Sequence, residues 1–305
     1  MIVTKNIMTD TTTTKTRYRI EYWAVLFLIK ALNILPLWFA MIVANIIGFL
    51  AFSVFKIRRK VTLDNLKKSF GDQYSDSEYI KIGARAYRNA GKGFIEYGLA
   101  PSFHKKNLSK YITIEGIDNL EYIAQNGKGA VLVTGHFGSW ELMGAYIASN
   151  NWPIDYLVGE QHNLLVNDLM NSHRTIFGIG LIEMGVAARG VFKAVRNGRM
   201  VCMLSDQDAG NDGTVVNFLG RPASTPKGPA AFALKTGAPI SCGFIIRKGN
   251  KHHIIIEKPI EFTPSGNKED DIRALTQAYT DRIERRVREH PDHWFWPHRR
   301  WKSTT

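Results

Sequence analysis

Short apolar or β-branched runs recur along residues 111–114, 130–134, 154–158, 200–204, 214–218, 239–246 and 252–256. Between them lie segments with apolar residues at helical spacing, near 117–125, 139–149, 164–177, 187–197 and 226–236. Strands alternating with helices predict an α/β domain whose mostly parallel central sheet is flanked by helices. The stretch "CGFIIRKGNKHHIIIE" reads as two strands about a tight turn, which would make one edge of the sheet antiparallel. A last helix over about 269–290 places Ile272, Leu275, Tyr279, Ile283 and Val287 on one face, so it packs on the domain. Residues 61–100 also read as helical, with Ser75 a cap.

The N-terminal pattern differs. Residues 1–21 are polar and threonine-rich and are assigned no fold. From Ala31 to Phe55 no formally charged residue occurs, a run longer than the roughly 20 positions a bilayer core requires. Residues 22–55 are therefore expected to form a transmembrane or membrane-inserted segment, with 56–305 as a cytoplasmic domain. Asn33, Pro36 and Asn45 interrupt the run, and a buried core helix pair bent at Pro36 is the alternative. Lys56, Arg58, Arg59, Lys60, Lys67 and Lys68 outnumber Lys15, Arg17, Arg19 and Lys30 on the other flank, which leans the main domain toward the cytoplasm.

Charge narrows the partners. Forty Lys and Arg against 27 Asp and Glu give +13, which suits nucleic acid, anionic lipid or an acidic carrier protein. The two cysteines, Cys202 and Cys242, lie inside apolar runs, which argues for a reducing compartment and against a disulfide framework.

Sheets of this kind bind ligands beyond the carboxyl ends of their strands, and three unusual segments fall there. In "VLVTGHFGSWELMG", His136 and Glu141 would sit roughly 140° apart on one continuous helix and could not cooperate. If the strand ends at Thr134 and a helix starts near Gly138 or Ser139, the two side chains can meet. The helix-start N–H groups then face an anionic group or oxyanion. A satisfied histidine beside an ordinary first-turn glutamate is the plain alternative. The second segment, "LSDQDAGNDG", gathers Asp206, Asp208 and Asp212, but lacks the ligand order of a calcium loop. It is either a self-capping turn or a substrate-facing one. In the third, Thr225 reads as an N-cap, Pro226 as the first helical residue and Lys227 as a first-turn cation suited to an anionic ligand. The closing "HWFWPHRRWK" packs Trp294, Trp296 and Trp301 around Arg299 and Arg300, fit for a lipid interface, for stacking on nucleic acid, or for covering a sheet edge.

"GHFGSWEL", "DQDAGNDGTVVNFLGRPASTPKGPA", "TGAPI" and "WFWPHRRWK" occur in the order found in bacterial lipid A biosynthesis late acyltransferases, which the chain resembles over nearly its whole length. The resemblance implies acyl transfer from a thioester, on acyl carrier protein or coenzyme A, to a hydroxyl of a lipid A precursor. His136 and Glu141 take its catalytic dyad positions, the histidine as general base and the glutamate fixing the imidazole tautomer. Gly138, Arg174, Asp206, Asp208, Thr225, Lys227, Arg299 and Arg300 become substrate-binding candidates. No metal or cofactor is implied. Partners would be the thioester donor, a glycolipid acceptor and membrane lipids, with no nucleic acid, at the cytoplasmic face of the inner membrane. One departure stands out: Glu160 and His162 occupy "YLVGEQHN", where many members carry a basic residue, a charge that Arg174 would have to supply. The acceptor could equally be a phosphatidylinositol mannoside, another glycolipid or a lysophospholipid. A noncatalytic membrane or nucleic-acid binding protein is the reading from another class.

Overall fold

The computed structural model describes residues 3–102, 105–125 and 127–304, with side chains from residue 15 onward except for 103–107 and 126. Two helices form an N-terminal arm: α1 (Val3–Asn33), which runs without a break across position 21, and α2 (Leu37–Phe49), which follows Pro36 and continues through a wider turn over Leu50–Val54. Helices α3 (Arg59–Phe70), α4 (Asp76–Leu99) and α5 (Lys105–Tyr111) lead into the sheet. Ser75 caps α4 as expected: its hydroxyl accepts the Glu78 N–H, while the Glu78 carboxylate accepts the Ser75 N–H at 2.8 Å.

The α/β part then alternates: β1 (Ile112–Glu115), α6 (Ile117–Gln125), β2 (Ala130–Thr134), α7 (Trp140–Ser149), β3 (Ile154–Val158), α8 (Leu164–Ile176), β4 (Gly180–Glu183), α9 (Ala187–Arg196) and β5 (Met200–Leu204). A ribbon of β6 (Thr214–Phe218) and β7 (Arg221–Thr225) precedes α10 (Gly228–Thr236), the hairpin β8 (Ile240–Lys248) and β9 (Lys251–Ile256), and α11 (Lys268–Glu289). The seven-stranded sheet has the order β1-β9-β8-β2-β5-β3-β4, and every neighbouring pair is parallel except β8 and β9. The antiparallel pair is not the edge, because β1 covers β9.

Strand β2 shows why the sheet lies at the centre of the fold. All five of its residues are buried, with Val131 and Val133 packing toward α9, α10 and α11 while Ala130 and Leu132 pack toward α6 and α7. Strand β7, "RPAST", lies outside the predicted strands. Its proline is tolerated because the ribbon has only two strands, so one side of β7 has no ladder to fill. The ribbon also moves the start of α10. Thr225 ends β7 instead of capping a helix, and α10 begins at Gly228.

Helix α2 lies along α4 through Ala40, Ala44 and Gly48, all buried. A Cβ on Gly48 would come within 2.6 Å of the Arg88 Cα, and one on Gly91 within 2.8 Å of the Ala44 carbonyl, so the two backbones touch. The opposite face leaves Trp38, Ile42, Ile46 and Phe49 exposed. Among the described residues, Leu37–Val54 is the one helix long and apolar enough to cross a membrane, with a mean hydropathy of 2.2 over 18 residues.

Candidate active site

Strands β2 and β5 are parallel neighbours whose last paired residues are Thr134 and Leu204. His136 and Asp206 each stand two residues past that pair, so both side chains emerge at the same carboxyl edge. His136 Nδ1 lies 2.8 Å from Asp206 Oδ1, and the His136 backbone N–H donates to Oδ2 at 2.7 Å. Trp294 Nε1 donates to the same Oδ2 at 2.7 Å. Burial pushes the Asp206 carboxyl up, but the His136 charge and these donors outweigh it and hold the group below its ordinary pKa. With Nδ1–H committed to the carboxylate, Nε2 is the acceptor nitrogen, and the Gln207 amide nitrogen is 3.3 Å from it. The His136 side chain remains 25% exposed, edge-on to Trp140 at 5.1 Å between ring centroids.

The hydrogen bond expected between His136 and Glu141 is not made. Helix α7 starts at Trp140, so Glu141 turns toward α8, where Arg174 grips it through Nη2–Oε1 at 2.5 Å and Nε–Oε2 at 3.2 Å. Arg174 also donates to Asn171 at 2.9 Å. Burial would lower its pKa, but the Glu141 carboxylate outweighs that and raises it. Beside this ion pair lies a narrow apolar cleft of about 20 Å³, lined by Ala90, Gly93, Phe94, Tyr97, Trp140 and Met170 as well as Glu141. Phe94 is 54% exposed at its rim and meets Trp140 edge-on at 6.3 Å. Trp140 therefore stands between the histidine and the cleft.

Other predicted residues take different places. Gly138 lines the cleft and is also constrained by packing: its φ is +59°, its N–H donates to the His293 carbonyl at 2.8 Å, and a Cβ would strike the Ile245 carbonyl at 2.0 Å. Asp206, expected to face substrate, is buried under the imidazole. Asp208 faces the C-terminal segment, accepting from Ser303 Oγ at 2.6 Å while its N–H donates to His298 at 3.0 Å. Thr225 and Arg300 are buried against each other, because the arginine satisfies the end of β7 through Thr225 Oγ1 and the Ser224 carbonyl. Neither has a free edge for substrate, and burial lowers the Arg300 pKa to about 10. Lys227 and Arg299 are exposed and lie apart from the cleft lining. The three tail tryptophans are buried, which removes the platform that stacking on nucleic acid requires.

Sequence reasoning missed Gln207, Trp140 and the Trp294 donor. It also missed the partnership of His136 with Asp206, although two chemistry-bearing residues at equal distances past adjacent strand ends carried that signal.

An α/β sheet that presents a carboxylate-bound histidine past the carboxyl ends of adjacent parallel strands has it where folds of this kind bind ligands. The family model for bacterial lipid A biosynthesis acyltransferase matches residues 8–303, and the chain belongs to that family. It is 26% identical over 299 residues to the lipid A biosynthesis palmitoleoyltransferase of Escherichia coli, covering 93% of this chain and 92% of the relative. The lipid A biosynthesis lauroyltransferase of the same organism is 24% identical over 272 residues, 84% of this chain and 83% of the relative. The phosphatidylinositol mannoside acyltransferase of Mycobacterium tuberculosis is 27% identical over 213 residues, 67% of this chain, and the chain spans 65% of that relative's length.

Proposed function

We propose that the protein is a membrane-bound O-acyltransferase that moves a fatty acyl chain from a thioester to a hydroxyl of a lipid A precursor. The observation that carries this reading is the His136 imidazole, tied at Nδ1 to a buried carboxylate, with Nε2 as its acceptor nitrogen and Trp140 between it and an apolar cleft. His136 Nε2 accepts the proton of the acceptor hydroxyl as its oxygen attacks the thioester carbonyl. The tetrahedral intermediate then collapses, the C–S bond breaks, and the imidazolium returns the proton to the departing thiolate. Such general-base assistance is typically worth about 10² to 10⁴ in rate. Asp206 takes the tautomer-fixing part that the resemblance gave to Glu141. Glu141 instead pairs with Arg174 beside the cleft. The N–H groups of Trp140 and Glu141 are the candidate oxyanion donors, since the Ser139 side chain does not cap them while Leu142 and Met143 donate to the Ser139 carbonyl.

The apolar face of α1 and α2 seats the enzyme on the bilayer, with the acceptor entering the cleft past Phe94 from the cytoplasmic side of the inner membrane. Next to the exposed Phe55 and Ile57, a groove lined by Lys56, Arg59, Lys60 and Lys67 adds attraction to anionic headgroups, about 1 kcal/mol per basic residue near the surface. Acyl carrier protein is the donor we favour, since a +13 chain complements an acidic carrier. The mycobacterial likeness supports a mannosylated phosphatidylinositol acceptor as the second reading.

The test is transfer by purified protein in vesicles, with acyl carrier protein and coenzyme A thioesters offered separately and the lipid products read by mass spectrometry. His136→Ala should stay vesicle-bound and lose transfer. Retained turnover in that variant would discard the mechanism, and the mass of the acylated lipid decides the acceptor.

A further inference from the structure

The catalytic turn is gripped by a charge network on the side away from Asp206. Glu96, in the last turn of α4, is buried and accepts from Arg247 Nη1 at 2.5 Å, from Arg247 Nη2 at 2.6 Å, from His252 Nε2 at 3.0 Å and from Ser139 Oγ at 3.0 Å. Arg247 and His252 are paired across β8 and β9, so sheet register places both donors together. The Arg247 backbone N–H donates to His293 Nε2 at 3.1 Å. His293 in turn accepts the Gly138 N–H through its carbonyl and stacks on Phe137 at 5.6 Å. Every residue from Phe137 to Ser139 is thereby held from β8, from the C-terminal segment, or from α4.

Two features argue that this network does more than fill space. Taking three ionisable groups out of water is expensive, and an apolar cluster of similar volume commonly serves stability as well or better. Two of its atoms, Arg247 Nε and His252 Nδ1, lack any partner, so the set is not optimised for stability. Moreover, Ser139 occupies the N-cap position of α7 and belongs to the residue class that caps best, yet its hydroxyl is turned to Glu96 and makes no cap. A capping bond has been given up for a bond that fixes the position of the turn.

We propose that Glu96 is a positioning residue for acyl transfer, acting through Ser139 to fix the start of α7 and hence the placement of His136 relative to the Glu141 cleft. The inference rests on the acyltransferase reading above. Glu96 does not touch the reacting atoms. Misplacing a catalytic group by about 1 Å can cost about 100-fold in rate, which sets the scale.

The experiment separates the link from the network. Ser139→Ala deletes only the bond to the turn and leaves Glu96 with Arg247 and His252. We expect kcat to fall about 10- to 100-fold, with KM within about two-fold and the thermal midpoint nearly unchanged. Ser139→Thr, which keeps the hydroxyl, should recover most of the rate. Glu96→Asp, which keeps the charge but withdraws it by one methylene, provides the same test should Ser139→Ala fold poorly, and kcat should again fall while KM holds. Wild-type kcat in a folded Ser139→Ala or Glu96→Asp protein overturns the positioning role. A wild-type protein without transfer activity would instead sink the reading on which the proposal rests.

Discussion

The two sides of the His136 turn use the same chemistry in opposite ways. On one side Asp206 spends its carboxylate on the imidazole, the turn amide and Trp294, with no water-facing edge left. On the other, Glu141 is five residues from the same histidine in sequence and lines an apolar cleft, yet its carboxylate is claimed by Arg174. The first side is closed around an imidazole; the second adjoins an apolar cleft. The carboxylate hydrogen-bonded to His136 thus comes from past the end of the adjacent parallel strand and not from the acid nearest in sequence.

That contrast can be broken in order of expected effect. Asp206→Asn should lower kcat about 10³- to 10⁴-fold with KM little changed, because the amide can present a donor to Nδ1 and favour the wrong tautomer. If steady-state kinetics showed near-normal turnover in Asp206→Asn while Glu141→Gln was dead, the two sides would have to exchange roles. Arg174→Ala should act on stability: it strands the Glu141 carboxylate, whose side chain is 8% exposed, at a cost of about 3–5 kcal/mol in urea unfolding. Adding Glu141→Gln to it should recover much of the loss, and an additive double variant would show that the pair is not coupled.

Phe94→Ser should raise KM for the lipid acceptor about ten-fold and spare kcat, since it removes apolar contact at the cleft rim without reaching His136. The smallest effect concerns acid. Burial alone would raise the Glu96 pKa, but hydrogen bonds from His252 and Arg247 hold it at about 2 against an ordinary 4.5. A depressed carboxylate contributes stability above its ordinary pKa and loses it as pH falls through the folded value. The thermal midpoint of the wild type should therefore drop between pH 4.5 and 2 more steeply than that of Glu96→Gln, and parallel curves would contradict the low value.

Most of the sheet was readable because its strands are short apolar runs between helices of regular period: β2, β3 and β5, with α7, α8 and β6 of the ribbon, fall where the pattern puts them, whereas the four-residue edge strand β4 was not expected. β7 was hidden by polarity: a two-stranded ribbon buries only part of each strand, so "RPAST" carries no apolar run, and its end at Thr225 looked like a helix cap. The site was half legible. His136 stood out because a histidine follows directly on a buried strand. Its partner did not, because register between β2 and β5 is a property of three dimensions. Arg300 misled for the opposite reason: an arginine among tail tryptophans suggested a substrate contact, whereas here it is buried and closes the end of β7.

The bare backbone contact between α2 and α4 has a practical consequence. With Gly48 against Arg88 and Gly91 against Ala44, no side chain stands ready to fill the seam once the arm is gone. Cutting the chain after Phe55 to obtain a detergent-free enzyme would strip α4 along its length and leave Ile95 and Leu99 in water. Swapping the outward-facing Trp38, Ile42 and Ile46 for polar residues while keeping the helix in place is the sounder route to solubility.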